Sequence, residues 1–90
     1  MVTLKEAKNY LRVDWEDDDK LILSLLATAK ILVKDVGRMN EDQFTENEDS
    51  VRTAMLFTVG YLYENRSNPD YHKLGMNLRS ILFAQREGII

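Results

Sequence analysis

Residues 51–66 read VRTAMLFTVGYLYENR, a segment in which apolar residues recur at helical spacing. They form one broad face, and further apolar and aromatic side chains occupy most of the other sides. A helix that is apolar almost all round is buried, so this segment is predicted to be the central core helix. Asp49 and Ser50 precede it as candidate N-caps. The broad face comprises Val51, Ala54, Met55, Thr58, Val59 and Leu62, and the other sides carry Leu56, Phe57, Tyr61 and Tyr63.

Gly60 lies inside this predicted helix, where a glycine costs about 1 kcal/mol of helix propensity relative to alanine. Two interpretations stay open. Either a neighbouring helix approaches closely at this position, or the glycine is simply tolerated.

The composition limits the classes of function. At 90 residues the chain is expected to form one domain, residues 1–90. Its net charge of −3 argues against nucleic-acid binding as its main task, because phosphate contacts need a surplus of Lys and Arg. It contains no Cys, which excludes disulfides and thiolate metal sites. No apolar run reaches the roughly 20 residues of a membrane span, and the start, MVTLKEAKNY, lacks a signal-peptide core. We therefore expect a protein made and kept in a cytoplasm, unless it is carried out inside an assembly.

The first 19 residues predict a short helix followed by an acidic turn. Thr3 and Glu6 have the spacing of a capping box at the start of a helix over residues 3–12. Residues 14–19 read DWEDDD, which lacks the glycine and the distal glutamate of a calcium-binding loop, so no metal is expected. Carboxylates there instead favour the positive end of the next helix. Trp15 either covers the core or contacts another subunit.

The second long helix is predicted over residues 18–36, ended by Gly37 at the C′ position. Its main apolar stripe is expected to pack on the central helix. A second stripe, Leu23, Ala27 and Ile31, lies on another side, bordered by lysines. It represents either scattered exposed residues, which are normal, or a subunit interface. The main stripe comprises Ile22, Leu25, Leu26, Ala29, Leu32, Val33 and Val36.

Residues 38–49, RMNEDQFTENED, are predicted to form a long polar loop that projects from the helical body, with Phe44 pinning its middle. After Pro69, which ends the central helix, a short C-terminal helix is expected over residues 76–86. The predicted fold is therefore all-α: two long helices, about 18–36 and 51–66, with short N-terminal and C-terminal helices and the loop 38–49. No catalytic or phosphate-binding motif is present, so we expect neither enzymatic activity nor a cofactor.

Three stretches together resemble the phage head–tail connector family, small adaptor proteins that dock beneath the portal of tailed phages. They are VTLKEAKNYLRVD with the acidic turn and LILSLLATAK, then AMLFTVGYLYENR, then LGMNLRSILFAQR. The ordered combination carries the resemblance. The family often has a proline just before the C-terminal helix, where this chain has Gly75 and Met76.

The resemblance implies a homo-oligomeric ring coaxial with the portal, at the head–tail junction of the virion. Such a ring extends the DNA channel, lets DNA pass without sequence-specific binding, and carries a tail or stopper protein. Arg66 either ties the end of its own helix, through Asp70 or a backbone carbonyl, or contacts a neighbouring subunit. The alternative function is a small helical regulatory or nucleic-acid-binding module. Candidate interface residues are Leu23, Ala27, Ile31, Glu64 and Arg66, and candidate channel-facing residues are Glu41, Asp42, Glu46 and Glu48.

Overall fold

A computed structural model describes the backbone of residues 2–86 and the side chains of residues 2–83. Within that range the regular structure is entirely helical, which confirms the all-α prediction. The helices in chain order are α1 (Leu4–Leu11), α2 (Asp19–Gly37), α3 (Glu41–Glu46), α4 (Glu48–Glu64) and α5 (Tyr71–Arg86).

Helix α4 is the centre of the bundle and packs against each of the other four helices. All six residues of its predicted broad face are buried, as expected from a helix apolar on most sides. The hydroxyl of Thr58 is satisfied inside the core because it donates to the carbonyl of Ala54 at 2.8 Å. Asp49 and Ser50 lie within the first turn instead of capping it. The carboxylates of Glu48 and Asp49 there face the positive end of the helix dipole.

Helix α2 lies against α4 with its main stripe, in which Ile22, Ala29 and Val33 are fully buried. The predicted C′ position of Gly37, just past the end of this helix, is wrong. Gly37 is still helical, and Arg38 adopts the left-handed conformation with φ 52°. The glycine serves packing: a Cβ there would lie 2.8 Å from Cε of Met39 and 3.2 Å from Cδ1 of Leu82.

Helices α1 and α5 each pack against both α2 and α4. Within the described residues they make no comparable contact with each other. The predicted capping box of α1 is confirmed: the Glu6 amide donates to the Thr3 hydroxyl at 3.1 Å, and the Thr3 amide to the Glu6 carboxylate at 3.0 Å.

Helix α5 is longer than predicted, and its expected start at Met76 is wrong. It begins at Tyr71, immediately after Pro69 and Asp70. The Asp70 carboxylate accepts a hydrogen bond from the Lys73 amide at 3.0 Å, which caps the helix five residues earlier than its apolar periodicity indicated. Gly75 therefore lies inside the helix. The buried face comprises Leu74, Leu78 and Leu82.

The prediction of a projecting polar loop over residues 38–49 is also wrong. The Asn40 and Gln43 side chains each accept from the other's backbone amide, at 2.8 and 3.0 Å, and this capping box starts α3. Phe44 is only 3 % exposed and joins the core. The ammonium groups of Lys30 and Lys34 lie 5.6 and 5.9 Å from its ring centroid, a cation–π arrangement that fastens α3 onto α2.

Close approach is confirmed at Gly60. The Tyr10 ring of α1 lies across it, so that a Cβ on residue 60 would sit 3.0 Å from Cε2 of Tyr10. The approach is made by the Tyr10 side chain and not by the α1 backbone.

Candidate assembly surfaces

The second stripe of α2 remains outside the core. Leu23 is 50 % exposed and Ile31 67 % exposed, and Ala27 between them is exposed as well. Because α4 packs on the opposite face of α2, these three side chains point away from the bundle. Their spacing over eight residues gives an apolar strip about 12 Å long.

The C-terminal end of α4 carries two more candidate residues. Glu64 is exposed. The Arg66 guanidinium donates to the Tyr63 carbonyl at 3.0 Å and lies 4.7 Å from the Tyr63 ring centroid. Arg66 therefore ties the end of its own helix, as one interpretation predicted. It does so through the carbonyl and not through Asp70, which caps α5. A contact of Arg66 with a neighbouring subunit stays a prediction.

The turn between α1 and α2 is fastened to α4 through Asp18. Its carboxylate accepts from the Tyr63 hydroxyl at 2.5 Å and from the Trp15 indole N–H at 3.4 Å. The hydrogen bond from Tyr63, with the weaker one from Trp15, lowers the pKa of Asp18; the same bond to Asp18 raises the pKa of Tyr63. Trp15 itself is 51 % exposed. The residues beside it, Asp14, Glu16 and Asp17, are exposed carboxylates.

The four predicted channel-facing carboxylates lie on α3 and the first turn of α4, and we call them the acidic edge: Glu41, Asp42, Glu46 and Glu48. All four are exposed. Two are partly neutralised within the chain. Lys34 and Lys30 pair with Glu41, and the Lys34 hydrogen bond above all lowers the Glu41 pKa. Arg52 lies 3.6 Å from Glu48. Asp42 and Glu46 form no ion pair among the described side chains and carry the uncompensated charge.

A groove that was not predicted from the sequence lies between the C-terminal end of α2 and the first half of α5. Tyr71 and Met76 are 56 % and 60 % exposed there, beside Arg38 and Arg79. A signal existed in the sequence: His72, Met76, Arg79 and Phe83 share one face of a helix at i, i+4, i+7 and i+11. It was missed because the helix was predicted to start at Met76. The groove is lined by Asp35, Val36, Arg38, Tyr71, His72, Gly75, Met76 and Arg79.

Within the described residues, no group of three or more His, Asp or Glu side chains is placed to hold a metal ion. No described helix is long and apolar enough to cross a membrane.

The described residues define a small all-α protein whose exposed features include apolar strips and charged edges. Comparison with protein-family models matches residues 1–88 to the phage gp6-like head-tail connector protein. The chain belongs to this family of structural phage proteins, which connect head and tail. Searches of curated proteins and of solved structures found no significant match.

Proposed function

We propose that this protein forms a closed ring beneath the portal, extends the DNA channel and carries a tail or stopper protein on its far side. Membership of the head–tail connector family supports the role. The observation that carries the proposal is the exposed α2 strip of Leu23, Ala27 and Ile31. An apolar strip on the outward side of a helix that already packs through another face is the kind of surface that a second subunit covers.

A ring built from identical subunits needs two different faces that meet head to tail. The α2 strip is one such face. Glu64 and Arg66, at the end of α4, are candidates for the other, since both are exposed and charged. Arg66 keeps donor capacity beyond its bond to the Tyr63 carbonyl, because a guanidinium has five N–H groups.

The acidic edge is proposed to lie at the channel wall. A ring repeats Asp42 and Glu46 around one axis, so their charge accumulates at the same radius. Carboxylates repel DNA phosphates within a Debye length of about 8 Å at physiological salt. Passing DNA then slides along the wall without being held.

Electron microscopy of the concentrated protein, alone and mixed with portal, tests the proposal. Rings, free or coaxial with the portal, are expected. Monomers under both conditions contradict it. A monomer that retards DNA in a gel with steep salt dependence indicates the nucleic-acid-binding alternative.

A further inference from the structure

We infer that adjacent subunits of the ring are joined by a plug and a socket. The plug is the acidic turn of one copy, residues 14–17 with Trp15, and the socket is the groove between α2 and α5 of the next copy. This inference rests on the proposed ring and identifies the two surfaces that meet within it.

The socket combines apolar surface with positive charge. Tyr71 and Met76 present exposed aromatic and thioether surface, which suits an aromatic partner. Arg38 and Arg79 lie beside them, with Asp35 as the acidic member of the lining. Neither arginine forms an ion pair with any side chain in the described part of the chain, so both guanidinium groups are available to an incoming carboxylate.

The plug has the complementary chemistry. Asp14, Glu16 and Asp17 are exposed carboxylates, and Trp15 between them leaves half of its surface uncovered. A half-exposed tryptophan amid charges is the residue type that anchors protein interfaces, and its ring face attracts an arginine. In the socket, Trp15 would contact Tyr71 and Met76 while the carboxylates pair with the two arginines.

The plug is held in place before it docks. Asp18 accepts from both the Trp15 indole and the Tyr63 hydroxyl, so the turn is tied to the end of α4. This tie reduces the conformational entropy that docking costs. It also places the turn near Glu64, one of the proposed interface residues.

The position of the two surfaces favours a ring. The turn precedes the first residue of α2, whereas the socket lies at the last residues of that helix, which runs for 19 residues or about 28 Å. A subunit therefore does not fill its own socket, and contact between two copies leaves one plug and one socket free. Such a heterologous contact repeats until the rotation closes. The socket also adjoins the α2 strip, since Arg38 lies on the same side of α2 as Ile31 and both border one open depression.

Cysteine cross-linking tests this contact directly, because the natural chain has no Cys. The variant Glu16→Cys/Met76→Cys is treated with a short bis-maleimide, both as concentrated protein and bound to portal. A ladder of covalent dimers, trimers and higher oligomers is expected in at least one condition. Each single variant is expected to give no ladder. The matched control, Glu16→Cys/Thr53→Cys, places the second thiol on an exposed position of α4 away from the socket and is also expected to give none.

Other outcomes overturn the inference. If wild-type rings are seen but the double variant gives no ladder, the ring stands and this contact is wrong. Strong dimers from Glu16→Cys alone indicate a symmetric contact between two turns. Cross-links only to the portal protein assign the turn to that partner. If no ring forms in any condition, the proposed function itself fails.

Reversing the charges of paired residues gives an independent test that needs no introduced cysteine. Arg79→Glu and Asp17→Arg each place like charges together across the contact and are expected to abolish ring formation, with circular dichroism unchanged because both positions are exposed. Combining the two changes in one chain restores opposite charges, and rings are expected to return. Failure of the combination to assemble, with both single variants folded, contradicts the pairing.

Discussion

The Tyr63 hydroxyl donates a 2.5 Å hydrogen bond to the carboxylate of Asp18, 45 residues earlier in the chain. The bond links the last turn of α4 to the residue that precedes α2. It therefore joins the two central helices at one end of the bundle and holds the turn that carries Trp15.

Tyr63→Phe is expected to reduce the pH dependence of stability. The Asp18 pKa is lowered in the folded state, chiefly by the hydrogen bond from Tyr63. Ionised Asp18 therefore stabilises the fold above about pH 4, and this stabilisation is lost as the pH falls through the folded-state pKa. The Tyr63 pKa is raised, so its contribution is present below about pH 10 and is lost as the pH rises through the folded-state value. In urea denaturation at a series of pH values, the free energy of unfolding of Tyr63→Phe is expected to fall less than that of wild type, both towards acidic and towards alkaline pH.

Tyr61→Phe is the matched control for that measurement. The Tyr61 hydroxyl accepts a hydrogen bond at 2.9 Å from the backbone amide of Asp70, and this amide is a neutral group. The variant is expected to lose stability nearly equally at all acidic pH values. If stability falls equally with acidic pH in Tyr63→Phe and in wild type, the Asp18 pKa does not depend on Tyr63.

Leu62→Ala is expected to destabilise the fold by about 2–5 kcal/mol, because Leu62 is 3 % exposed in the core. In a domain of this size each kcal/mol lowers the melting temperature by about 4–8 °C. Leu23→Ala, the same substitution on the exposed strip, is expected to change stability by less than about 0.5 kcal/mol in the monomer. Equal melting temperatures for Leu62→Ala and wild type would mean that the core has been placed wrongly.

Two glycines permit the same substitution with opposite expected results. At Gly60 the added methyl meets the edge of Tyr10, whose exposed ring can swing outward, so Gly60→Ala is expected to stabilise by up to about 1 kcal/mol through helix propensity. At Gly37 it meets the ends of the Met39 and Leu82 side chains, which are buried and can shift only by disturbing the core, so Gly37→Ala is expected to destabilise. Thermal melts of the two variants decide it. A more stable Gly37→Ala would show that α2 and α5 are not so closely packed.

The sequence was sufficient for the elements whose apolar periodicity is long. Helices α2 and α4 follow from stripes that run for four or five turns, and the exposed strip of α2 follows from the same periodicity. Helix α3 was not predicted because the acidic composition of residues 38–49 indicated a loop, and the capping signal within the segment was not used. Asn40 and Gln43 already have capping-box spacing, and Phe44 sits where such a helix meets the core.

The groove shows what one sequence cannot supply. Its α2 side and its α5 side come from segments more than 30 residues apart in the printed sequence, and only the packing of α5 on α2 brings Arg38 near Tyr71 and Met76. The bond between Asp18 and Tyr63 is likewise tertiary. Neither has a local signature in composition or spacing.

Reversing the charge of the acidic edge is expected to slow DNA ejection. Asp42→Lys/Glu46→Lys leaves the paired Glu41 and Glu48 untouched and turns repulsion of phosphates into attraction. The delay is expected to grow at low ionic strength, where the Debye length rises from about 8 Å at 0.15 M to about 30 Å at 0.01 M. Ejection is followed from filled heads by release of a DNA-binding dye.

Asp42→Asn/Glu46→Gln is the control for that experiment, because it removes the repulsion without adding attraction. Its ejection is expected to lie close to wild type. If the lysine variant ejects DNA at the wild-type rate at every salt concentration, the acidic edge does not face the channel.

The claim that the α2 strip joins subunits of the ring is tested most directly by sedimentation of Ala27→Glu, with and without portal. The substitution places a charge between Leu23 and Ile31 while the monomer stays folded, because residue 27 is exposed. Thr53→Glu puts the same side chain on an exposed position of α4 and is expected to assemble and dock like wild type. We predict that Ala27→Glu sediments as a folded monomer and does not dock on the portal. Wild-type rings and wild-type docking by Ala27→Glu would contradict the account.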